Sequence, residues 1–304
     1  MKLSINKILK NLNLPAENGT LITETEINSL GEISITSRQE ALDYISEFLA
    51  IIENPVISRN KSQNKIAWEN GWNENLEIIK KNGFSAENVR PRYLRKHDFF
   101  RFDREIYKNK NPFLEFELFC IARKLLFTHY LSSFVNVYEL GCGSGGNLHL
   151  LSTLFPDINL VGTDWVQPSV DIANAMGQKL NRNIKGQIFD FTDPKDLIIP
   201  KNSAVITIHA LEQIGRNHYA LLDYLIDSKP DLVLHLEPVI ELYDPLNSFD
   251  NLAIKYTQKR NYLEGFLPSL EQKEKEGKIE LIEVLRPEIG GVWHEASLII
   301  WRPI

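Results

Sequence analysis

The stretch that decides the fold is YELGCGSGGN, from Tyr138 to Asn147. It begins within the apolar run 135–140, which is typical of a buried strand, and it leads into a helical pattern over 145–154. Glycines allow positive φ angles and let the backbone approach a ligand closely, while the first N–H groups of a helix bind carboxylate or phosphate. The stretch therefore predicts a strand, a tight turn and a helix, with a ligand lying against the turn.

Strands and helices alternate after this turn. Further strands are predicted at 159–164, 186–191, 204–209 and 231–236, with helices at 169–180 and 218–227 between them. Because helices of this length separate the strands, right-handed βαβ units and a parallel sheet are expected. A long charged helical stretch follows over 250–277. The last two strands, 278–285 and 293–301, have a turn at Gly290-Gly291 between them and are expected to pair antiparallel.

The predicted fold class is α/β, a doubly wound sheet of seven strands, five parallel with a C-terminal antiparallel hairpin, preceded by a helical cap. Three stretches of the cap have apolar residues at helical spacing: 37–52, 65–81 and 113–134. Ser37 and Glu40 fit a capping box, and Gly83 is a helix-ending signal. The chain is thus divided into a cap and substrate-selecting region, residues 1–130, and a sheet domain, residues 131–304.

The composition is that of an ordinary globular protein, because 43% of the 304 residues are hydrophobic and 24% are charged. The net charge of −6 argues against a nucleic-acid partner, since phosphate binding relies on clustered Lys and Arg. No apolar run is long enough to span a bilayer, and Cys120 and Cys142 fit a reducing compartment. We expect a cytoplasmic protein without nucleic acid or membrane partners; the sequence leaves its oligomeric state open.

The order of these elements and the motif Glu-x-Gly-x-Gly-x-Gly resemble the class I S-adenosylmethionine-dependent methyltransferases over about residues 130–304. Gly141, Gly143 and Gly146 also satisfy the G-x-G-x-x-G fingerprint of dinucleotide-binding folds. The methyltransferase interpretation is favoured because an acid, Glu139, stands two residues before the first glycine. The position of the turn in mid-chain and the terminal hairpin favour it as well.

The resemblance implies a cofactor site for S-adenosylmethionine. Asp164, at the end of the second strand, would accept the ribose hydroxyls, and Trp165 would stack on adenine or pack in the core. Asp190 would bind the adenine amine, with Phe191 covering the ring, or it would only cap the next turn. The remaining cofactor-binding residues are those of the turn itself: Glu139, Gly141, Gly143, Gly145 and Asn147.

Candidate catalytic residues are expected where the fourth and fifth strands end, because ligands bind at the carboxyl edge of a parallel sheet. His209 fits a general base, a ligand of a divalent metal together with Gln213, or a packing residue. Glu237 fits substrate binding, proton abstraction or metal ligation. Glu212 is expected to face solvent or the rim of the core. His235 is expected to be a buried structural histidine.

The spacing His-x-x-x-Gln of His209 and Gln213 is similar to one in the mononuclear-metal methyltransferase domains of polyketide loading modules. That similarity implies a metal such as Mn or Fe and an acceptor bound to a carrier protein, and it rests on these two residues alone. His294, placed on the last strand, is a further candidate for the acceptor region, with a surface position as the alternative.

The helical cap is expected to lie over the cofactor, as it often does in this family. Cations and aromatics mix in residues 90–104, which fits an anionic acceptor site or a solvated surface. Residues 255–262 would form another wall of that pocket, and Trp68 and Trp72 are expected to pack within the cap. The predicted function is methyl transfer to oxygen or carbon of a small or carrier-bound acceptor. An NAD-dependent oxidoreductase and a catalytically inactive binding module are the alternatives.

Overall fold

The computed structural model describes residues 2–54, 61–91 and 99–304. The middle of the basic and aromatic stretch that was predicted to bind an anion, 92–98, lies outside the described residues. Arg101 and Arg104 at its end are described, and both pair with acids of this chain, Arg101 with Asp250 and Arg104 with Glu288.

The described part of the N-terminal region is largely helical, as predicted. The Oγ atom of Ser37 accepts the Glu40 N–H at 3.3 Å and the Glu40 carboxylate accepts the Ser37 N–H at 2.8 Å, which confirms the capping box. Gly83 follows the next long helix with a φ of +80°, as a C-terminal signal requires. The elements are α1 Ile5–Asn11, α2 Glu24–Ser29, β1 Ile33–Ile35, α3 Arg38–Glu53, α4 Lys61–Asn82, β2 Phe99–Phe102, β3 Glu105–Asn109 and α5 Leu114–Leu131.

The C-terminal region alternates strands and helices and builds a seven-stranded sheet from described residues. Its spatial order is β6-β5-β4-β7-β8-β11-β9; the first five strands are parallel, and β11 is antiparallel to both of its neighbours. The predicted fold class is therefore confirmed. The elements are β4 Asn136–Leu140, α6 Gly146–Leu154, β5 Asn159–Asp164, α7 Gln167–Leu180, β6 Ile184–Ile188, β7 Ser203–Ile208, α8 Tyr219–Ser228, β8 Leu232–Glu237, α9 Ser248–Arg260, α10 Phe266–Lys275, β9 Ile279–Leu285, β10 Ile289–Gly290 and β11 Ser297–Pro303.

The connection between the last two strands differs from the predicted short turn. The short strand β10 leaves the large sheet and pairs antiparallel with β2, in a small sheet of order β1-β3-β2-β10. His294 consequently lies in this connection and not on the last strand, where it was predicted. The small sheet escaped prediction because its strands are short and because β10 meets β2 from far along the chain.

Apolar side chains cover both faces of the large sheet. One face packs on α5, α6 and α7, and the other on α8 and α10. The predicted helical stretch over 250–277 consists of the two helices α9 and α10, and Asn261 and Gly265 both take positive φ angles between them. The division at residue 130 stays a prediction. None of the helices in the described ranges is both long and apolar enough to cross a membrane.

Candidate functional site

The glycine turn after β4 has a backbone that only glycine adopts without strain. Gly141 and Gly143 have φ angles of +81° and +51°. A Cβ atom on Gly141 would lie 2.4 Å from the Cβ of Ala210, and one on Gly143 would lie 2.8 Å from the Trp72 ring. The turn is thus in contact with the segment after β7 on one side and with the N-terminal region on the other.

Glu139, at the end of β4, lies buried beneath this turn. Its Oε1 atom accepts a hydrogen bond from Asn147 Nδ2 at 2.6 Å, and the Oε2 atom has no hydrogen-bond partner among the described residues. Arg123 of α5 in turn donates to Asn147 Oδ1. Burial raises the pKa of Glu139 to about 8, although Asn147 and Arg123 oppose that change. A buried carboxylate oxygen without a donor fits a ligand that brings a cationic donor of its own.

Asp164 lies beside the same turn at the end of β5. It accepts the Gly143 N–H at 3.0 Å and the Val166 N–H at 3.3 Å, and only 5% of its surface is exposed. Burial raises the pKa of Asp164 to about 6, with the main-chain N–H groups of Gly143 and Val166 acting in the opposite direction. Each of its oxygens retains acceptor capacity, as a site for ribose hydroxyls requires.

The remaining predicted cofactor residues lie along the same edge of the sheet. The ring of Phe191 lies 3.3 Å from the position of a Gly141 Cβ, so it borders the turn. Asp190 accepts the Thr192 N–H at 2.8 Å and its hydroxyl at 2.7 Å, which is the turn-capping arrangement that the sequence left open. Trp165 is half-buried next to Asp164. The structure thus brings the predicted cofactor-binding residues together.

Trp72 covers the glycine turn. Its ring is buried against Gly143 and stacks on Trp68 at a centroid distance of 5.4 Å. The stack within the cap was predicted, whereas the contact with the turn was not. A ligand that lies along Gly143 must therefore either pack against this ring or displace it.

His209 follows β7 and takes a φ of +50°, which is uncommon for a residue other than glycine. Its ring packs edge-on against Phe119 at 5.3 Å, and its Nδ1 atom lies 3.6 Å from Glu212 Oε2. Burial by itself would lower the pKa of His209, but the carboxylates of Glu212, Glu237 and Glu115 outweigh it and raise the pKa. His209 is next in sequence to Ala210, so it stands directly beside the glycine turn.

Glu212 is buried, so of the two expected positions, facing solvent was wrong. Its Oε2 atom lies 3.6 Å from Nδ1 of both His209 and His294, and Gln213 Nε2 donates to its Oε1 at 2.8 Å. Burial raises the pKa of Glu212, yet the two histidines outweigh that effect and the pKa is lowered. His294 reaches this carboxylate from the connection before β11, between the rings of Tyr256 and Tyr262.

Glu237 is fully buried and serves main-chain groups. Oε1 accepts the N–H of Ala210 and of Leu211, both at 3.0 Å, and Oε2 accepts the Glu212 N–H at 3.2 Å. Burial and the nearby Glu212 raise the pKa of Glu237 to about 7. Both oxygens are buried and engaged, so a methyl acceptor cannot reach them in this structure. The geometry therefore favours a positioning role over the predicted catalytic one.

His235 is buried, as predicted, and its ring is held at both nitrogens. Trp301 donates its indole N–H to Nε2 at 2.9 Å, so Nδ1 carries the proton and donates to Thr207 Oγ1 at 2.8 Å. Within the described ranges, no three His, Cys, Asp or Glu side chains are grouped closely enough to hold a metal. The predicted metal pair, His209 and Gln213, is joined instead through Glu212.

Comparison with known proteins finds no family model and no curated protein that matches this chain. Solved structures match it at low identity and with TM-scores below 0.5. An O-methyltransferase (NcsB1) from neocarzinostatin biosynthesis, in complex with S-adenosylmethionine, has a TM-score of 0.42 at 15% identity, covering 62% of this chain and 57% of that one. The 16S rRNA methylase ArmA has a TM-score of 0.45 at 12% identity, covering 77% and 98%.

The O-methyltransferase from a trans-AT PKS multienzyme of Brevibacillus brevis has a TM-score of 0.45 at 15% identity, covering 60% of this chain and 71% of that one. This chain spans little more than half of the length of NcsB1, 57%, and of the citrinin polyketide synthase CMeT domain, 53%. At these identities and TM-scores the matches carry nothing about the chemistry of this chain.

Proposed function

We propose that this chain transfers a methyl group from S-adenosylmethionine to oxygen or carbon of a small or carrier-bound acceptor. The observation that carries the proposal is the buried Oε2 atom of Glu139, which has no hydrogen-bond donor among the described residues and lies beneath a turn with glycines at positive φ angles. The cofactor has an ammonium group and a sulfonium charge, and both are attracted by a carboxylate in this position. The pyrophosphate of a dinucleotide would be repelled by it.

The described residues fit the rest of the cofactor. Asp164 offers acceptor capacity for the ribose, and Phe191 and Trp165 offer apolar surface for a purine next to it. When bound, S-adenosylmethionine supplies an electrophilic methyl group. The turn is in contact with Ala210, so an acceptor held beside His209 would be adjacent to the place where the cofactor lies.

His209 is proposed as the general base that removes a proton from the acceptor. Glu212 lies beside its Nδ1 atom, orients the imidazole and stabilises the protonated form that proton abstraction produces. Glu237 holds the backbone of the His209 turn through three N–H groups and acts as a positioning residue. His294 shares the Glu212 carboxylate and closes the site on the side of the last strand.

A divalent metal at His209 and Gln213 is the second mechanism that the sequence suggested. The amide nitrogen of Gln213 donates to Glu212, so both predicted ligands are engaged with the same carboxylate. This arrangement supports proton chemistry for His209. Elemental analysis of the purified protein tests the metal directly. Stoichiometric Mn or Fe would favour the metal mechanism over His209 as the general base.

Calorimetric titration of the protein with S-adenosylmethionine, S-adenosylhomocysteine, NAD⁺ and NADH tests the cofactor. We expect saturable binding of the two sulfur nucleosides and none of the nicotinamides. Glu139→Gln should weaken S-adenosylhomocysteine binding, whereas Glu271→Gln, an exposed substitution on α10, should not. Binding of a nicotinamide alone would refute the proposal. Cofactor binding without transfer of labelled methyl to any acceptor offered would favour the inactive module.

A further inference from the structure

A chain of side-chain hydrogen bonds links the cap to the carboxylate under the glycine turn. Arg123 of α5 donates to Asn147 Oδ1, and the Nδ2 atom of Asn147 donates to Glu139 Oε1 at 2.6 Å. All three side chains are buried, with exposed fractions of 8%, 8% and 1% along the chain from Arg123 to Glu139. The amide of Asn147 is thereby fixed in one orientation, because its oxygen faces a donor and its nitrogen faces an acceptor.

The guanidinium of Arg123 is itself held in place by other groups. Nη2 donates to Cys120 Sγ at 2.9 Å, Nε donates to the Phe119 carbonyl at 3.3 Å, and the cation lies 4.8 Å from the centre of the Phe119 ring. A charge this buried and this constrained in an apolar helix is costly, and a buried partner is the usual reason to keep it. The nearest anionic group in this chain of contacts is Glu139.

The charged and titratable groups around Glu139 come from several elements. Arg123 approaches from α5, the neutral Asn147 from α6, the carboxylate of Asp164 from β5 and the thiol of Cys142 from the turn. On the β7 side Glu139 is in register with the apolar Ile206. Asp164 disfavours the charged form of Glu139 and so adds to the effect of burial. The hydrogen bond from Asn147, the positive charge of Arg123 and the main-chain N–H of Leu148 favour the charged form.

We propose that Arg123 is a positioning residue for the amino group of the cofactor: through Asn147 it orients Glu139 and favours its ionised form, with Oε2 directed at that ammonium. This inference rests on the proposed function, since it concerns the same cofactor site. Arg123 would act on the cofactor through Asn147 and Glu139, without direct contact. Its role is electrostatic, and it should therefore depend on whether Glu139 is protonated.

Removing the positive charge of Arg123 should raise the pKa of Glu139 above the value of about 8 that it has with Arg123 present. Below that pH more of the variant would carry a protonated Glu139, which cannot pair with an ammonium. If the pKa of Glu139 rises by about one unit, the variant should bind the ligand about tenfold more weakly at pH 7. The difference in affinity vanishes at a pH where Glu139 is deprotonated in both proteins. Deprotonation of the ligand affects both proteins alike and cancels in the ratio of their dissociation constants.

The experiment compares the dissociation constants of Arg123→Gln and the unaltered protein for S-adenosylhomocysteine by calorimetry, from pH 6.5 to pH 9.5. We expect a ratio of about ten at pH 7 that falls towards one at the alkaline end. For 5′-methylthioadenosine, which lacks the amino acid part, the ratio should stay near one throughout. Asn147→Ala, which breaks the link but leaves Arg123 in place, should show the same pH-dependent ratio for S-adenosylhomocysteine if Arg123→Gln does not fold.

Lys124→Gln is the matched control, because it removes the neighbouring cation of α5, which pairs with Glu26 instead. A ratio for Arg123→Gln that is large but constant with pH would overturn the inference and assign Arg123 to direct binding or to folding. A ratio of one at every pH would overturn it as well. Failure of the unaltered protein to bind either nucleoside would refute the proposed function instead, so the two failures are distinguishable.

Discussion

Glu237 accepts the main-chain N–H of Leu211 at 3.0 Å, so the end of β8 holds the backbone that follows β7. The same carboxylate also accepts the N–H groups of Ala210 and Glu212. His209 stands at the start of this segment with a positive φ angle, a conformation that needs support from its surroundings. A buried acid on one strand thereby determines where the histidine of the neighbouring strand points.

Glu237→Gln should destabilise the protein by about 1–3 kcal/mol, because an amide offers one acceptor oxygen and turns a donor towards a main-chain N–H. We expect a lower urea midpoint with an unchanged slope, measured by circular dichroism. The exposed variant Glu271→Gln should leave the midpoint unaltered. Equal stability of Glu237→Gln and the unaltered protein would contradict the positioning role.

Glu212→Gln should lower the pKa of His209. Burial tends to lower that pKa, and the contacts with Glu212, followed by Glu237 and Glu115, raise it above the usual 6.5. Removing the largest opposing contribution should therefore move the imidazole titration to lower pH, as followed by nuclear magnetic resonance with His209→Gln to assign the signal. An unmoved midpoint would show that Glu212 does not tune this histidine.

His235 should make the fold sensitive to acid. Burial lowers its pKa to about 3, whereas the unfolded chain takes up the proton near pH 6.5. Between these values only the unfolded state is protonated, so stability falls by about 1.4 kcal/mol per pH unit as the pH decreases. His235→Gln, which can keep both hydrogen bonds, should lose this slope in urea titrations. The same change of unfolding free energy with pH in both proteins would contradict the assignment of this slope to His235.

Gly141→Ala should cost more stability than Gly277→Ala. Both glycines have positive φ angles, +81° and +70°, so backbone strain of about 1–2 kcal/mol is common to both substitutions. A Cβ on Gly141 would also lie 2.4 Å from Ala210, whereas one on Gly277 would have nothing within 4 Å. We expect Gly141→Ala to lose about 1–3 kcal/mol more and to bind S-adenosylhomocysteine poorly. Equal losses would mean that the Ala210 contact relaxes easily.

Cofactor binding should change the fluorescence of Trp72, since its ring lies on Gly143. We expect S-adenosylhomocysteine to shift or quench the tryptophan emission, and Trp72→Phe to reduce that change while it keeps an aromatic ring over the turn. Trp293→Phe is the control, because Trp293 packs on Phe48 and Tyr256. An undiminished response in Trp72→Phe would place the reporting tryptophan elsewhere, with Trp165 as the next candidate.

Local sequence signals were enough to predict the sheet and the residues on the cofactor side of the site. The strand over 159–164 was predicted at the bounds it has, and the glycines, Glu139 and Asp164 meet at one edge because parallel strands end together. Arg123 was missed, although a cation within a strongly apolar helical stretch is a visible signal. The burial of Glu212 was not predicted, because the helical turn around it is too short to show a periodicity of apolar residues.

The sequence by itself determined the order of strands and helices, the turn that glycines alone can form and the residues at the ends of the parallel strands. Those features depend on neighbours within a few residues, where backbone sterics and side-chain periodicity decide the outcome. Only the tertiary structure brought His294 to Glu212, Trp72 to Gly143 and Arg123 to the carboxylate under the turn. His294 and Glu212 are 82 positions apart, Trp72 and Gly143 are 71, and Arg123 and Asn147, which links it to the carboxylate, are 24. The free energy of these contacts comes from burial that no local pattern encodes.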